Sequence, residues 1–373
     1  MRKRLKLVLM FTMFTALFFG FLHLFVPDRT LYNFERLHIF LFNLVSGGTI
    51  LIHFTEGNPG LTTKGKVFFG LALAYALLAF WEFYLPAIVV AFILAAIVES
   101  VRIKKFSFFP VNFFHPRERV SRKFHQAALL CLSIGLIMSA LVIINNEFLK
   151  LVTMRKLQLD TFFLGFSFPL SLISMSVIFA FMKGDFSRVI LRLKNIGFWN
   201  VNLGVIIFFI FILFEMFVPQ VFVTTILFLS VILIYYLFRK LGRRLQQKSF
   251  LTSGMFFLWY TAVTGIAYII LEFFPSYDHE NLKFLLRMHT YASLYGWNLS
   301  GLAVICRRDD FPIRLHSKTI ISIHWLTAIV LAPLGTYYQP FAVAALISYA
   351  FVLYMILFSE GSRPIFEEET ITR

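Results

Sequence analysis

The chain has 373 residues, of which 59% are apolar and only 14% are charged, and its mean hydropathy is +0.79. This composition excludes a water-soluble domain and a disordered chain, because too few polar side chains remain to form a surface in water. The net charge of +16 indicates no nucleic-acid partner, since basic residues beside membrane spans orient the chain and contact anionic lipid. Membrane lipid is therefore the expected partner.

Twelve mostly apolar stretches have the length, about 20 residues, that a bilayer core demands. In chain order they cover about 7–26, 35–54, 67–83, 86–101, 124–144, 161–182, 198–218, 221–238, 250–273, 286–306, 319–336 and 341–358. The loops between them are too short for a soluble catalytic domain. We therefore predict an all-α polytopic membrane protein, with residues 1–373 forming a single transmembrane domain.

Lysine and arginine are divided unequally between the two sides of these spans. If the N-terminus is cytoplasmic, 28 of the 35 basic residues lie on the cytoplasmic side and seven lie outside. Cytoplasmic loops of membrane proteins carry this kind of excess. The count predicts a multi-pass protein of the cell (inner) membrane with both termini in the cytoplasm.

Landmarks recur when the twelve spans are divided into three groups of four. Helix 2 opens with Arg36-Leu-His38, helix 6 with Asp160-Thr-Phe-Phe163 and helix 10 with Arg287-Met-His289, so the landmarks are 125 and 126 residues apart. Tight turns also recur, at Glu82-Phe-Tyr-Leu-Pro86, Glu215-Met-Phe-Val-Pro219 and Thr336-Tyr-Tyr-Gln-Pro340. This pattern predicts three repeated four-helix units, at about 1–101, 124–238 and 250–358, arranged as a ring with helices 2, 6 and 10 equivalent.

Two histidines occupy matching positions in this repeat. His38 and His289 each lie about three residues inside a helix that enters from the outer face. Two neutral imidazoles at one depth are what axial ligation of a haem iron requires. Arg36 and Arg287 stand two residues before them, where guanidinium groups can pair with haem propionates. The alternative for each histidine is a neutral ring that shares a hydrogen bond with a neighbouring helix.

Three further histidines form a second layer near the inner side, at His53, His125 and His324. A second haem or a proton path is conceivable there, but we expect these rings to border the cytoplasmic interface. On helix 6, serines 167, 171 and 174 form a polar seam that we expect to face the protein interior.

Acidic side chains support a different class of function. Glu82, Glu215 and Glu272 lie near the outer ends of helices 3, 7 and 9, and Asp160 opens helix 6. Buried carboxylates of this kind bind cations or relay protons in transporters, although end positions favour carboxylates in contact with water. A secondary transporter is therefore the alternative hypothesis.

The strings Arg36-Leu-His38-Ile-Phe-Leu and His289-Thr-Tyr-Ala-Ser-Leu-Tyr-Gly296-Trp297 resemble helices 2 and 10 of subunit I of the haem-copper oxidase and nitric-oxide reductase superfamily. The resemblance implies that His38 and His289 ligate a low-spin haem b. The chain departs from the family at Tyr291, where a second helix-10 histidine is expected, and in helices 6 and 7, which lack histidine. It therefore implies a haem-b protein for electron transfer, haem handling or sensing, with no centre that reduces oxygen or nitric oxide. Expected partners are a redox protein or other membrane subunits.

Overall fold

The computed structural model describes residues 1–26, 33–154, 156–157, 163–183, 187–243, 247–272, 274, 279–308, 310 and 313–361. Within these residues the backbone is helical apart from turns and short connections, and it contains no β-strand. An isolated bridge between Met182 and Gly242 joins two connections. The prediction of an all-α protein is confirmed.

The described residues form these helices in chain order: α1 (Lys3–Leu22), α2 (Phe34–Glu56), α3 (Thr63–Phe80), α4 (Tyr84–Lys105), α5 (Val120–Leu149), α6 (Phe163–Ala180), α7 (Arg188–Leu213), α8 (Phe217–Leu241), α9 (Gln247–Leu271), α10 (279–306), α11 (Lys318–Gly335) and α12 (Gln339–Phe358). Within the described residues, eleven of them, all except α10, are long and apolar enough to cross a membrane. The chain is thus a multi-pass membrane protein. The twelve predicted spans correspond to these helices, with ends that differ by five residues or fewer except that α7 begins ten residues and α10 seven residues earlier than predicted.

The second, sixth and tenth helices lie at the centre of the molecule. The share of buried residues is 89% in α2 and 72% in α6, against 22–56% in the other nine qualifying spans. These three helices also touch one another. Their contacts pair Trp297 with Ser171, Tyr295 with His38 and Gly47 with Leu170. These contacts show that the three helices form the core, and the threefold repeat stays a prediction.

Each of the three central helices contains a π-helical segment. These segments are Phe40–Gly48 in α2, Phe163–Ser167 in α6 and Ala292–Asn298 in α10. Two other helices also contain one, at Ile144–Leu149 in α5 and Leu326–Leu331 in α11. A π-turn shifts the hydrogen-bond register by one residue, which leaves carbonyl groups available to side chains and is frequent at functional sites. In α2, for example, the Ser46 hydroxyl donates to the Leu41 carbonyl at 3.0 Å.

Side-chain contacts define two faces of the molecule. We call the face at which α1 begins the N-face. There, Lys6 of α1 pairs with Asp310, which follows α10, and the same carboxylate lies 3.2 Å from Arg307 Nε. At the opposite face, the Gln339 side chain at the start of α12 donates to the Leu24 carbonyl at 2.8 Å. Successive helices therefore connect the two faces.

Two of the tight turns on the opposite face close in the same way. Glu82 and Glu215 both have left-handed backbone, with φ of 61° and 53°. The next residue in each turn donates its N–H to a carbonyl five residues earlier, at 2.9 Å for Phe83 and 2.8 Å for Met216. Such closures satisfy the free carbonyls at a helix end. Both glutamate side chains are exposed, as expected of carboxylates in contact with water.

Candidate functional site

His38 is held against the first helix. Its Nδ1 lies 2.9 Å from the carbonyl oxygen of Ala16 in α1, and the side chain is only 6% exposed. Gly20, one turn after Ala16, lies against the ring. A Cβ atom at Gly20 would stand 2.6 Å from Nδ1, so the close approach of α1 to the imidazole requires glycine there.

His289 is held in the same manner by the ninth helix. Its Nδ1 lies 2.8 Å from the carbonyl oxygen of Thr261 in α9. Gly265, again one turn after the accepting residue, lies against the ring. A Cβ atom at Gly265 would be 3.0 Å from both Cε1 and Nδ1. Each histidine is therefore bound by a carbonyl and a glycine four residues apart on the preceding helix.

This anchoring fixes the tautomer of both rings. A backbone carbonyl can only accept a hydrogen bond, so the proton lies on Nδ1 and the lone pair lies on Nε2. Within the described residues His289 Nε2 makes no hydrogen bond. An imidazole whose Nδ1 donates to a carbonyl and whose Nε2 is unprotonated is in the form in which histidine ligates metals.

Tyr295 lies beside His38 and is the site residue that the sequence analysis missed. Its hydroxyl is 3.1 Å from His38 Nδ1 and 3.4 Å from Nε2. Its ring stacks on Tyr291 at 5.7 Å between centroids, and Tyr291 in turn packs on Phe21 of α1 at 6.2 Å. A row of packed aromatic rings from α10 and α1, each at most 4% exposed, therefore lies beside His38.

The two arginines of the predicted site lie in different places. Arg287 Nη1 donates to Glu35 Oε1 at 2.9 Å, so this ion pair joins α10 to α2 at the opposite face. Arg36 Nη1 donates to the Ala79 carbonyl of α3 at 3.0 Å. Arg36 also lines a cavity of about 60 Å³ whose floor is the Tyr75–Ser139 hydroxyl pair. A residue two positions before His38 is rotated by about 200° around the helix, so Arg36 points towards α3.

His324 of α11 contacts the π-helical segment of α10 that contains Tyr295. It is 1% exposed, and its Nε2 lies 2.6 Å from the carbonyl oxygen of Tyr295. That carbonyl is available because the N–H of Leu299 bonds to the carbonyls of Gly296 and Leu294 on either side of it. His324 is thus an enclosed partner of the π-turn, whereas an interfacial position was expected.

The other two histidines of the second layer lie apart from this π-turn. His125 Nε2 is 2.8 Å from the Thr55 hydroxyl, and its ring stacks on Phe54. His53 is 7% exposed. Within the described residues, no group of three or more His, Cys, Asp or Glu side chains could hold a metal ion. The candidate site therefore consists of two separately held imidazoles, His38 against α1 and His289 against α9.

The polar seam of α6 faces the interior, as predicted. Ser171 accepts from Trp297 Nε1 at 2.7 Å, Ser167 lies 3.3 Å from the Asn298 amide, and Ser174 is fully buried. Glu272, predicted as a candidate for transport, is exposed and lies 4.0 Å from Lys156. Asp160 falls outside the described residues.

Comparison of the chain with known protein families, with curated proteins and with solved structures finds no match in any of the three. Arguments about its function therefore depend on its own residues and their geometry.

Proposed function

We propose that this membrane protein binds b-type haem through His38 and His289 and serves in electron transfer, haem handling or sensing. The proposal depends on one observation: both imidazoles donate Nδ1–H to a carbonyl of the preceding helix and leave Nε2 unprotonated. Two independent buried histidines need not share this arrangement. Each ring is prepared to ligate a metal through Nε2, His38 where it packs against α1 and His289 where it packs against α9.

The rings of Tyr295, Tyr291 and Phe21 beside His38 supply flat apolar surfaces of the kind that contact a porphyrin. Arg287 would supply a cation for a propionate at the opposite face in place of its ion pair with Glu35. A bound haem would contribute an iron that exchanges single electrons, while the chain fixes the imidazoles and excludes water. Tyr295 must turn aside before His38 can ligate, because its hydroxyl lies 3.4 Å from Nε2.

Two further features support a haem-copper-oxidase-like scaffold built from repeated units. Glu82 and Glu215 close corresponding turns with left-handed backbone. The Ala16–Gly20 and Thr261–Gly265 pairs lie on α1 and α9, the first helices of the first and third units. The excess of basic residues supports cytoplasmic termini in the inner membrane.

A haemin titration of the purified protein tests the proposal. We expect saturable binding of about one haemin per chain, with a low-spin spectrum, as two axial imidazoles produce. Replacement of either His38 or His289 by Ala should remove the low-spin spectrum, and His53→Ala should preserve it. Non-saturable uptake that is equal in all four proteins would contradict the proposal and favour the transporter alternative.

A further inference from the structure

The connection between α4 and α5, residues 106–119, is a rigid structure on the N-face. We call it the N-face loop. Arg102, which is 2% exposed, donates to the carbonyls of Ser107 and Phe108 at 2.9 Å each. Lys123, which is 1% exposed, donates to the Phe113 carbonyl at 2.9 Å. Two buried cations thus hold the loop backbone at both ends.

This rigid loop presents large apolar side chains outwards. Its exposed side chains are Phe108 at 63%, Phe109 at 69%, Val111 at 65% and Phe114 at 72%. They lie beyond Lys105, where α4 ends, and therefore outside the membrane-spanning helices. Contiguous apolar groups of this kind are unfavourable in water and mark an interaction surface.

The apolar side chains are surrounded by exposed cations. Those cations are Lys104, Lys105, Arg117, Arg119 and Arg122. The acidic side chain of the loop, Glu118, is half-buried and lies 3.6 Å from Arg122. The surface that covers this loop must therefore be apolar and carry negative charge at its boundary.

The loop is also continuous with the apolar exterior of the helices. Ile103 of α4 is 39% exposed and Ile196 of α7 is 47% exposed. Phe114 connects these two sides, because its ring packs on Trp199 of α7 with 5.3 Å between centroids. The exposed apolar side chains of the loop therefore adjoin the surface of α7 through Phe114 and Trp199.

We propose that the N-face loop is an anionic-phospholipid site, in which the exposed Phe and Val side chains insert among the lipid headgroups and the surrounding Lys and Arg bind their phosphates. An apolar segment with basic neighbours binds the membrane interface through both contributions. A second protein is less suited as the occupant, because the site adjoins the lipid-facing surface and its positive charge is complementary to the negative charge of an acidic leaflet.

Fluorescence quenching in lipid nanodiscs tests the insertion. Cys131 and Cys306 are first replaced by Ser, and a fluorophore is attached at Phe109→Cys. Asn58→Cys is the matched control, because Asn58 is an exposed polar residue in another N-face connection. At position 109 we expect quenching by brominated lipid, and an iodide quenching constant about threefold lower than at position 58, since the headgroup layer limits collisions. Equal iodide quenching at both positions would refute the insertion.

Lipid selectivity tests the cationic part. Native mass spectrometry of protein from nanodiscs with equal phosphatidylglycerol and phosphatidylcholine should show retained phosphatidylglycerol. Inorganic phosphate at about 20 mM should not displace this lipid, because the insertion needs acyl chains. The triple substitution Arg117→Gln, Arg119→Gln, Arg122→Gln should remove this preference, while Lys64→Gln in the first turn of α3 should preserve it. Retention that is unchanged by the triple substitution, displacement by phosphate, or protection of position 109 only when a second protein is added would each overturn the proposal.

Discussion

Substitution of Gly20 by Ala tests whether α1 holds the His38 ring. The new Cβ would stand 2.6 Å from Nδ1 and 3.1 Å from Cε1, so the imidazole has to move away from the Ala16 carbonyl. Overpacking of a core site costs about 1–3 kcal/mol, and a buried donor or acceptor left without its partner costs about 1–3 kcal/mol. We expect the two effects to overlap and to lower the free energy of unfolding by about 2–4 kcal/mol.

Two other glycines provide a graded comparison. At Gly265 the added Cβ would meet His289 at 3.0 Å, so Gly265→Ala should be less destabilising than Gly20→Ala. At Gly70, in the exposed middle of α3, no atom lies within 4 Å of the added Cβ. Gly70→Ala should be neutral or stabilising by up to about 1 kcal/mol, because Ala favours helix.

Denaturation in mild detergent, titrated with SDS, measures these changes, and imidazole nitrogen NMR reports the tautomer. The expected order of stability is Gly70→Ala, then Gly265→Ala, then Gly20→Ala, with the Nδ1–H tautomer of His38 lost in the last variant. If Gly20→Ala is as stable as Gly70→Ala and the His38 tautomer is unchanged, the reasoning about this contact is wrong.

Four other substitutions test three separate parts of the structure. Tyr295→Phe removes the hydroxyl next to His38 and should leave haemin affinity equal or higher; loss of binding in the same titration would show that the hydroxyl is required. Asp310→Asn removes the anion shared by two buried cations and should destabilise the protein by about 3–5 kcal/mol in SDS titration, whereas an unchanged midpoint would contradict the pairing. Glu82→Gly and Glu215→Gly each relieve a left-handed backbone conformation and should each stabilise the protein by about 1 kcal/mol. Destabilisation of either variant would show that the glutamate side chain has a structural role.

Hydropathy predicted the helices because membrane insertion depends on local runs of apolar residues. The α6 seam could also be predicted, since hydroxyls at serines 167, 171 and 174 share one helix face and gain nothing from lipid. The direction of Arg36 follows from helix geometry as well. These features depend on one helix at a time, so the sequence contains the necessary information.

The anchoring of the two histidines could not be predicted in this way. The accepting groups are backbone carbonyls of Ala16 and Thr261. Every residue has a backbone carbonyl, so the residue type does not indicate which one accepts a hydrogen bond. Gly20 is one of several small residues in an apolar helix, and its role appears only when the neighbouring helix is in place. Tyr295 is similarly one of many aromatic residues in the chain, and its direction depends on the π-turn in α10.

The visible absorption spectrum of the purified, dithionite-reduced protein tests the central claim most directly. The wild-type chain, expressed with an adequate haem supply, should show the bands of a low-spin b-type haem, and His38→Ala and His289→Ala should each lack them while still eluting as folded protein. His53→Ala serves as the control and should retain the bands. A wild-type protein that shows no haem bands, or His38→Ala and His289→Ala variants whose spectra match the wild type, would contradict the account.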